Sequence, residues 1–126
     1  MDVTPLTPDG FQLIDSYGQG RFRVAGDLWQ QAIIVMPEQT AKWSVQSVAE
    51  LTVDSLSPVY NAEPAIEILL IGCGDRMAMV SSAFKEQCRA KGFGVDTMDT
   101  GAACRTYNVL MAEGRRVAAA LLPLSA

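Results

Sequence analysis

The apolar positions divide the chain into two halves with different periods. Phe11 and Leu13 alternate with polar neighbours into Ile14–Tyr17, Gly18-Gln19-Gly20 supplies a turn, and Arg21-Phe22-Arg23-Val24 sets two arginines on one face and Phe22 with Val24 on the other. This predicts an N-terminal β-hairpin. Gly26-Asp27 then precedes a run over 29–36, rich in β-branched residues at 33–35 and closed by Pro37, which predicts a second hairpin strand; Ala41–Val45 predicts a short strand after it. Residues 51–60 mix Asp54, Ser57 and Pro58 and predict only a short helix or loop.

From Ile66 onward the pattern lengthens. Ile66–Ile71 is almost continuously apolar and is stopped by Gly72-Cys73-Gly74, as expected of a strand covered on both faces. Ala78–Lys91 places Val80, Ala83, Phe84 and Cys88 on one helical stripe ended by Gly92. Gly94–Met98 predicts another strand, Asp99 or Thr100 a cap for a helix over 101–112 ending near Gly114, and Arg116–Leu122 a final strand terminated by Pro123. A β-rich first half followed by strand, helix, strand, helix, strand predicts an α/β fold with helices from the C-terminal half. No linker divides it, so one domain over 1–126 is expected, with 1–10 as an extended N-terminal segment.

Parallel strands joined by a crossover helix end side by side, so Gly72-Cys73-Gly74 and Thr97-Met98-Asp99 are expected on one sheet edge, next to a helix N-terminus that favours anions. The candidate pocket is Gly72, Gly74, Arg76, Asp99, Thr100, Cys104 and Arg105, with the two arginines contacting a small anion. Gly72–Met77 resembles the dinucleotide fingerprint GxGxxG, but Met77 stands where the third glycine belongs, and no Walker A triplet is present. The glycines read more readily as turning the backbone, and Asp99 as capping a helix. Cys104, in a helix's first turn beside Arg105, is expected to have a lowered pKa and is the best nucleophile candidate, but with no histidine and only Asp99 or Glu113 as nearby proton acceptors it reads first as a buried or capped structural cysteine.

Composition narrows the chemistry. With 126 residues, 49% hydrophobic and 19% charged, the chain supports a folded core and is not a disordered segment. Histidine is absent, which removes Ser-His-Asp and Cys-His catalysis and the HExxH zinc site. Cys73, Cys88 and Cys104 form no CxxC pair and read as reduced thiols, and the scattered carboxylates suggest no metal site, so no cofactor is expected. A net charge of −4, with no aromatic and basic residues interleaved, argues against nucleic acid. No run approaches the ~18 apolar residues of a membrane span, and Met1–Gly10, with Asp2, Asp9 and two prolines, reads as neither a secretory signal nor a transit peptide. A cytoplasmic location is expected. Residues 1–75 carry 3 basic and 10 acidic groups while 76–116 carry 7 and 4, an asymmetry that reads first as the solvated faces of two helices and otherwise as a docking surface.

The stretch Met98-Asp99-Thr100-Gly101-Ala102-Ala103-Cys104-Arg105-Thr106-Tyr107-Asn108-Val109-Leu110, followed by Ala112–Leu121, resembles a small family of uncharacterised bacterial and archaeal proteins that includes the eukaryotic mitochondrial complex I assembly factor three. The Tyr17–Gly26 hairpin and Ile71-Gly72-Cys73-Gly74 support the likeness, which covers roughly residues 10–123; Cys73 departs from the family's usual Gly-Thr-Gly turn. The resemblance implies a three-layer α/β fold around a central mixed sheet of about five strands, with the last strand antiparallel to its neighbours. It also implies a non-enzymatic role in assembling a respiratory or membrane complex, and supplies no catalytic residue. A protein partner is therefore expected, an acidic one contacted by Arg76, Arg105, Arg115 and Arg116. The alternative is a small-anion-binding enzyme or sensor at the sheet edge, and a further expectation is self-association through the edge strand 21–25.

Overall fold

In the computed structural model, which describes residues 10–125, the first three strands form a small antiparallel sheet in the order β1 (Ile14–Gly18), β2 (Arg21–Val24), β3 (Asp27–Trp29). The turns follow from backbone conformation. Gln19-Gly20 connects the pair Gly18↔Arg21 with Gly20 at φ +67, and Ala25-Gly26 connects Val24↔Asp27 with φ values of +48 and +86. Two successive left-handed residues match the twist of a tight hairpin. Asp15 forms a bulge in β1, and its Oδ2 accepts the Gly26 N–H at 2.8 Å, which ties one turn to the opposite strand. The hairpin expected over 11–24 is present.

The larger sheet contains β4 (Ile33–Val35), β5 (Thr40–Lys42), β6 (Ile68–Gly72), β7 (Gly94–Met98) and β8 (Val117–Leu121) in the order β5-β4-β8-β6-β7. The single strand expected over 29–36 is divided: the polar pair Gln30-Gln31 separates Trp29, which pairs with Phe22 in the small sheet, from Ile33, which enters the large one. The strand expected over 41–45 pairs only over Thr40–Lys42, and 51–60 forms a 3-10 turn running into the short helix α1 (Ser57–Tyr60). Helix α2 (Ser82–Ala90) begins four residues later than the apolar spacing suggests. Ser81 is extended at φ −69, ψ 154 and its hydroxyl accepts the Phe84 N–H at 3.1 Å, so Val80 falls outside the helix.

Strand β8 runs parallel to β6 and antiparallel to β4. This corrects the expectation that it opposes both neighbours: helix α3 (Thr100–Ala112) carries the chain from β7 back across β6, and such a crossover returns a parallel strand. All five β8 residues are buried, and alternation assigns them to two cores. Val117, Ala119 and Leu121 join Ile33, Val35 and Leu70 under Ala103, Cys104, Tyr107 and Met111 of α3 and under Phe22 and Val24. Ala118 and Ala120 join Ile34, Leu69 and Ile71 under Phe84 and Cys88 of α2 and Leu56 and Val59. The result is the three-layer α/β arrangement around a five-stranded mixed sheet.

Gly72 sits where α3 starts against the sheet. A Cβ there would lie 2.9 Å from Leu121 Cδ2 and 3.0 Å from both Thr100 Cα and Thr100 Oγ1, closer than the backbone at 100 can yield. Gly72→Ala is expected to destabilise the fold by about 1–3 kcal/mol in urea unfolding. Gly94→Ala, at a glycine with open space around it, is the control and is expected to leave the midpoint nearly unchanged. Equal midpoints for the two variants would refute the close approach.

Candidate functional site

The ends of β6, β7 and β8 meet at one edge, as the crossover topology requires, and hydrogen bonds knit them together. The Cys73 N–H donates to Met98 O at 2.8 Å, Thr100 N–H to Gly74 O at 2.9 Å and Leu122 N–H to Gly72 O at 2.9 Å. The Thr100 side chain, fully buried, lies among these strand ends: its hydroxyl accepts the Gly74 N–H at 2.8 Å and donates to Leu122 O at 2.6 Å. Asp99 caps α3, its Oδ1 accepting the Ala102 N–H at 2.9 Å. The tail continues past this knot, with Leu124 O accepting the Gly20 N–H at 2.9 Å and Ser125 N–H donating to Asp75 Oδ1 at 3.0 Å. Hydrogen bonds from Ser125, first from its side chain and then from its backbone, hold the Asp75 carboxyl below the usual carboxylate range, with Arg76 adding in the same direction.

Of the seven candidate residues, Gly72, Gly74, Asp99 and Thr100 are thus brought together. The N–H groups of Thr100 and Ala102, two of the donors expected to meet an anion, already have acceptors within the protein, so an anion here would have to displace those bonds. Arg76 stands exposed on the loop after Gly74. Cys104 and Arg105 open elsewhere, on a depression of about 310 Å³ shared with Ile14–Tyr17 and Asn108. There the Arg105 guanidinium donates to the Tyr17 hydroxyl. Gly101 admits this ring, since a Cβ would lie 3.0 Å from the Tyr17 oxygen.

The lowered pKa expected for Cys104 is reversed, while its reading as a buried residue agrees with the structure. Burial pushes the thiol up to about 12; Arg105 pulls it down by less, and Asp99 adds to the rise. A helix terminus lowers a thiol's pKa where water reaches it, whereas this sulfur is buried under the small sheet. Asp99 is occupied as a cap and Glu113 lies at the opposite end of α3. The neighbouring residues do structural work that the sequence did not disclose. Asn108 accepts the Ile14 N–H at 2.9 Å and donates to Ile14 O at 2.8 Å, while the Tyr107 hydroxyl donates to Gln12 O at 2.8 Å. Together they fasten the N-terminal strand to α3, and only their helical neighbourhood in the 105–108 segment hinted at a shared role.

A second opening lies on the same sheet edge, displaced toward the antiparallel strands. It is a depression of about 460 Å³ lined by Gln31-Ala32, Trp43–Gln46 and Pro123. Gln31, Ser44 and Pro123 are each two residues beyond the pairs Ile33↔Lys42 and Ile33↔Leu121, and Gly74 is two beyond Gly72↔Leu121, so all four share one register row past the strand ends. Trp43 is 4% exposed, and its Nε1–H has no acceptor among the described residues. An unpaired buried donor of this kind costs about 1–3 kcal/mol.

These features define a three-layer α/β protein with a mixed sheet. Solved structures share the arrangement: a Bordetella parapertussis protein is 40% identical, with 92% of this chain and 99% of that chain covered and a TM-score of 0.83. A Bordetella pertussis protein described as a Mth938-like domain is 33% identical, with 99% and 94% covered and a TM-score of 0.82. The chain belongs to the family described as protein of unknown function (DUF498/DUF598), whose model matches residues 14–122. It is also 37% identical over 123 residues to the NADH dehydrogenase (ubiquinone) 1 alpha subcomplex assembly factor 3 of Xenopus tropicalis, covering 96% of this chain and 67% of that protein. The human protein of the same name is 37% identical, with 87% and 60% covered, so the chain spans about three-fifths to two-thirds of the length of these relatives. No helix among the described residues is long and apolar enough to cross a membrane, and residues 1–9, including most of the expected N-terminal segment, lie outside the description.

Thr100→Val keeps the shape and removes the hydroxyl, leaving Gly74 N–H and Leu122 O without their partner; a loss of about 2–5 kcal/mol is expected, against about 1 kcal/mol for Thr100→Ser. Chemical denaturation of both variants checks this, and near-equal losses would sink it. The Cys104 thiol sets a pH dependence. Below its ordinary value of 9.0 the group is protonated folded and unfolded alike, while between 9.0 and about 12 only the unfolded chain releases the proton. Stability is therefore expected to fall as pH rises through this window, with Cys88, raised to about 11 by burial, contributing in the same sense. Urea midpoints should decline less steeply above pH 9.0 in Cys104→Ala than in the native chain.

Proposed function

We propose that this chain is a non-catalytic, cytoplasmic protein-binding factor that assists assembly of a respiratory or membrane complex. The observation that carries the reading is the loop leaving β6, where Met77 is 58% and Met79 84% exposed beside the exposed Arg76. Two large flexible apolar side chains in water next to a cation form an adaptable contact surface, of the kind that seats on a partner rather than on solvent. The loop lies on the edge that Thr100 makes rigid, so it projects from a fixed base. The relatives named as complex I assembly factors support the same reading.

Charge refines the surface. Arg115 faces Glu67 at 3.6 Å, and Arg116 is bound to Glu38 and to Pro64 O, so two of the four arginines expected at an acidic partner are already engaged. Arg76 and Arg105 have no carboxylate within salt-bridge distance among the described residues. Arg76, beside the methionines, is the one placed to steer a partner.

Deleting the gene in its native host, then separating detergent-solubilised membranes on native gels, tests the proposal. The assembled NADH:quinone oxidoreductase is expected to drop several-fold, and to be restored by the wild-type gene but not by a Arg76→Ala, Met77→Ser, Met79→Ser triple variant that folds normally. Full assembly in the deletion strain would remove the reading. A rise in melting temperature with inorganic phosphate, lost in Arg105→Ala or Arg76→Ala, would favour the small-anion sensor instead.

A further inference from the structure

From the depression at Gln31, Trp43, Ser44 and Pro123 we infer a binding site for a small uncharged molecule that carries an amide or ketone oxygen. Three observations converge there. The first is the unsatisfied Trp43 Nε1–H: an indole nitrogen donates only, so the group that completes it is an acceptor. The second is size and position, since about 460 Å³ suits a small organic ligand and the site lies past the carboxyl ends of β5 and β8, on the sheet edge that also carries the end of β6, where open α/β sheets hold ligands. The third is the lining. Gln31-Ala32, Trp43–Gln46 and Pro123 carry no formal charge, and the carboxylate at their border, Glu50, accepts the Gln46 N–H at 3.1 Å, so a carboxylate ligand finds no counter-ion and meets a like charge, while an ammonium offers no acceptor for the indole N–H.

The side chains divide the work accordingly. Ala32, Val45, Pro123 and the indole face supply apolar contact, and the Gln31, Ser44 and Gln46 side chains can donate and accept around a neutral polar group. The Trp43 hydrogen is shut off from solvent in the ligand-free molecule, so entry of the acceptor is coupled to a rotamer change at the rim; Ser44 and Gln46 are exposed and Gln31 half-buried, which leaves them free to move. None of these residues belongs to the loop 75–80, so the site is independent of the protein-binding reading.

Benzamide and benzoate, alike in shape and different in charge, are the probes. In ¹H–¹⁵N spectra of the full chain, benzamide is expected to move the Trp43 indole N–H resonance saturably downfield while the Trp29 indole stays in place, and benzoate to bind at least about tenfold more weakly. Trp43→Phe should abolish benzamide binding measured by calorimetry. Because that substitution touches the core, Ser44→Ala with Gln46→Ala, both at exposed positions, is the second variant and should weaken binding several-fold with an unchanged melting temperature. Absence of a saturable shift up to the solubility limit overturns the site, and equal shifts with benzoate overturn the neutral-ligand assignment. A shift seen only with a capped trialanine peptide overturns the small-molecule reading in favour of a docked chain.

Discussion

One hydroxyl group holds the working edge of this molecule in place. Thr100 Oγ1 accepts from Gly74 and donates to Leu122, so it joins the exit of β6, the start of α3 and the exit of β8 at a single buried point. A buried hydroxyl with both capacities used is strong because neither partner has water as an alternative. Its geometry propagates outward. The helix must start close against the sheet, which is why position 72 has no room for a side chain, and the tail is aimed over the turn at Gly20, which links the small sheet to the large one.

Packing on either side of the sheet follows from the central strand. Ala118, Ala119 and Ala120 give β8 a thin profile, so α3 packs against one face of it, while its other face joins the cluster that Phe84 and Cys88 of α2 share with Leu56 and Val59. The small sheet is held on α3 by polar fastening as well as by burial: Asn108 pairs both backbone groups of Ile14, as a neighbouring strand would, and Tyr107 holds Gln12. Residues that looked like candidates for chemistry in the 99–108 segment are therefore spent on joining layers.

Much of this was legible because period reports burial. The alternation over 11–24 and the apolar run at 66–71 each gave the right element, and Asp99 before 100–112 gave the right cap. What escaped depends on contacts far apart in sequence. Ala25 at φ +48 carries no turn signal of its own, and Ser81 overrode an apolar spacing that ran on through Val80. The direction of β8, which the resemblance implied to be antiparallel to both neighbours, follows from the α3 crossover on the β6 side, and its antiparallel pairing is with β4 alone, a strand from the other half of the chain. The pKa direction of Cys104 was misjudged, though not its preferred reading as a buried cysteine: helix position and Arg105 are visible in the sequence, whereas the sheet that buries the sulfur is not. The structural part that Thr100 plays could not be read from its neighbours, since its partners lie 26 and 22 residues away.

The position of the opening beside Trp43 has its own physical cause. Along β6 the row past the strand end is closed, because Leu122 still has an N–H to donate to Gly72 and Gly74 still has one for Thr100. One step on, the chain reaches Pro123, which has no N–H and cannot extend the ladder toward Gln31, its register partner. Pairing between β8 and β4 stops there while Trp43 is still bonded to Ala32 O at 3.0 Å, so β5 and its continuation overshoot the strand between them. The overshoot leaves a space walled by Trp43 and Ser44 on one side and Pro123 on the other, with the indole donor left behind it. The edge expected to hold a ligand is therefore closed where a threonine and a helix start meet it, and open where a proline ends the pairing.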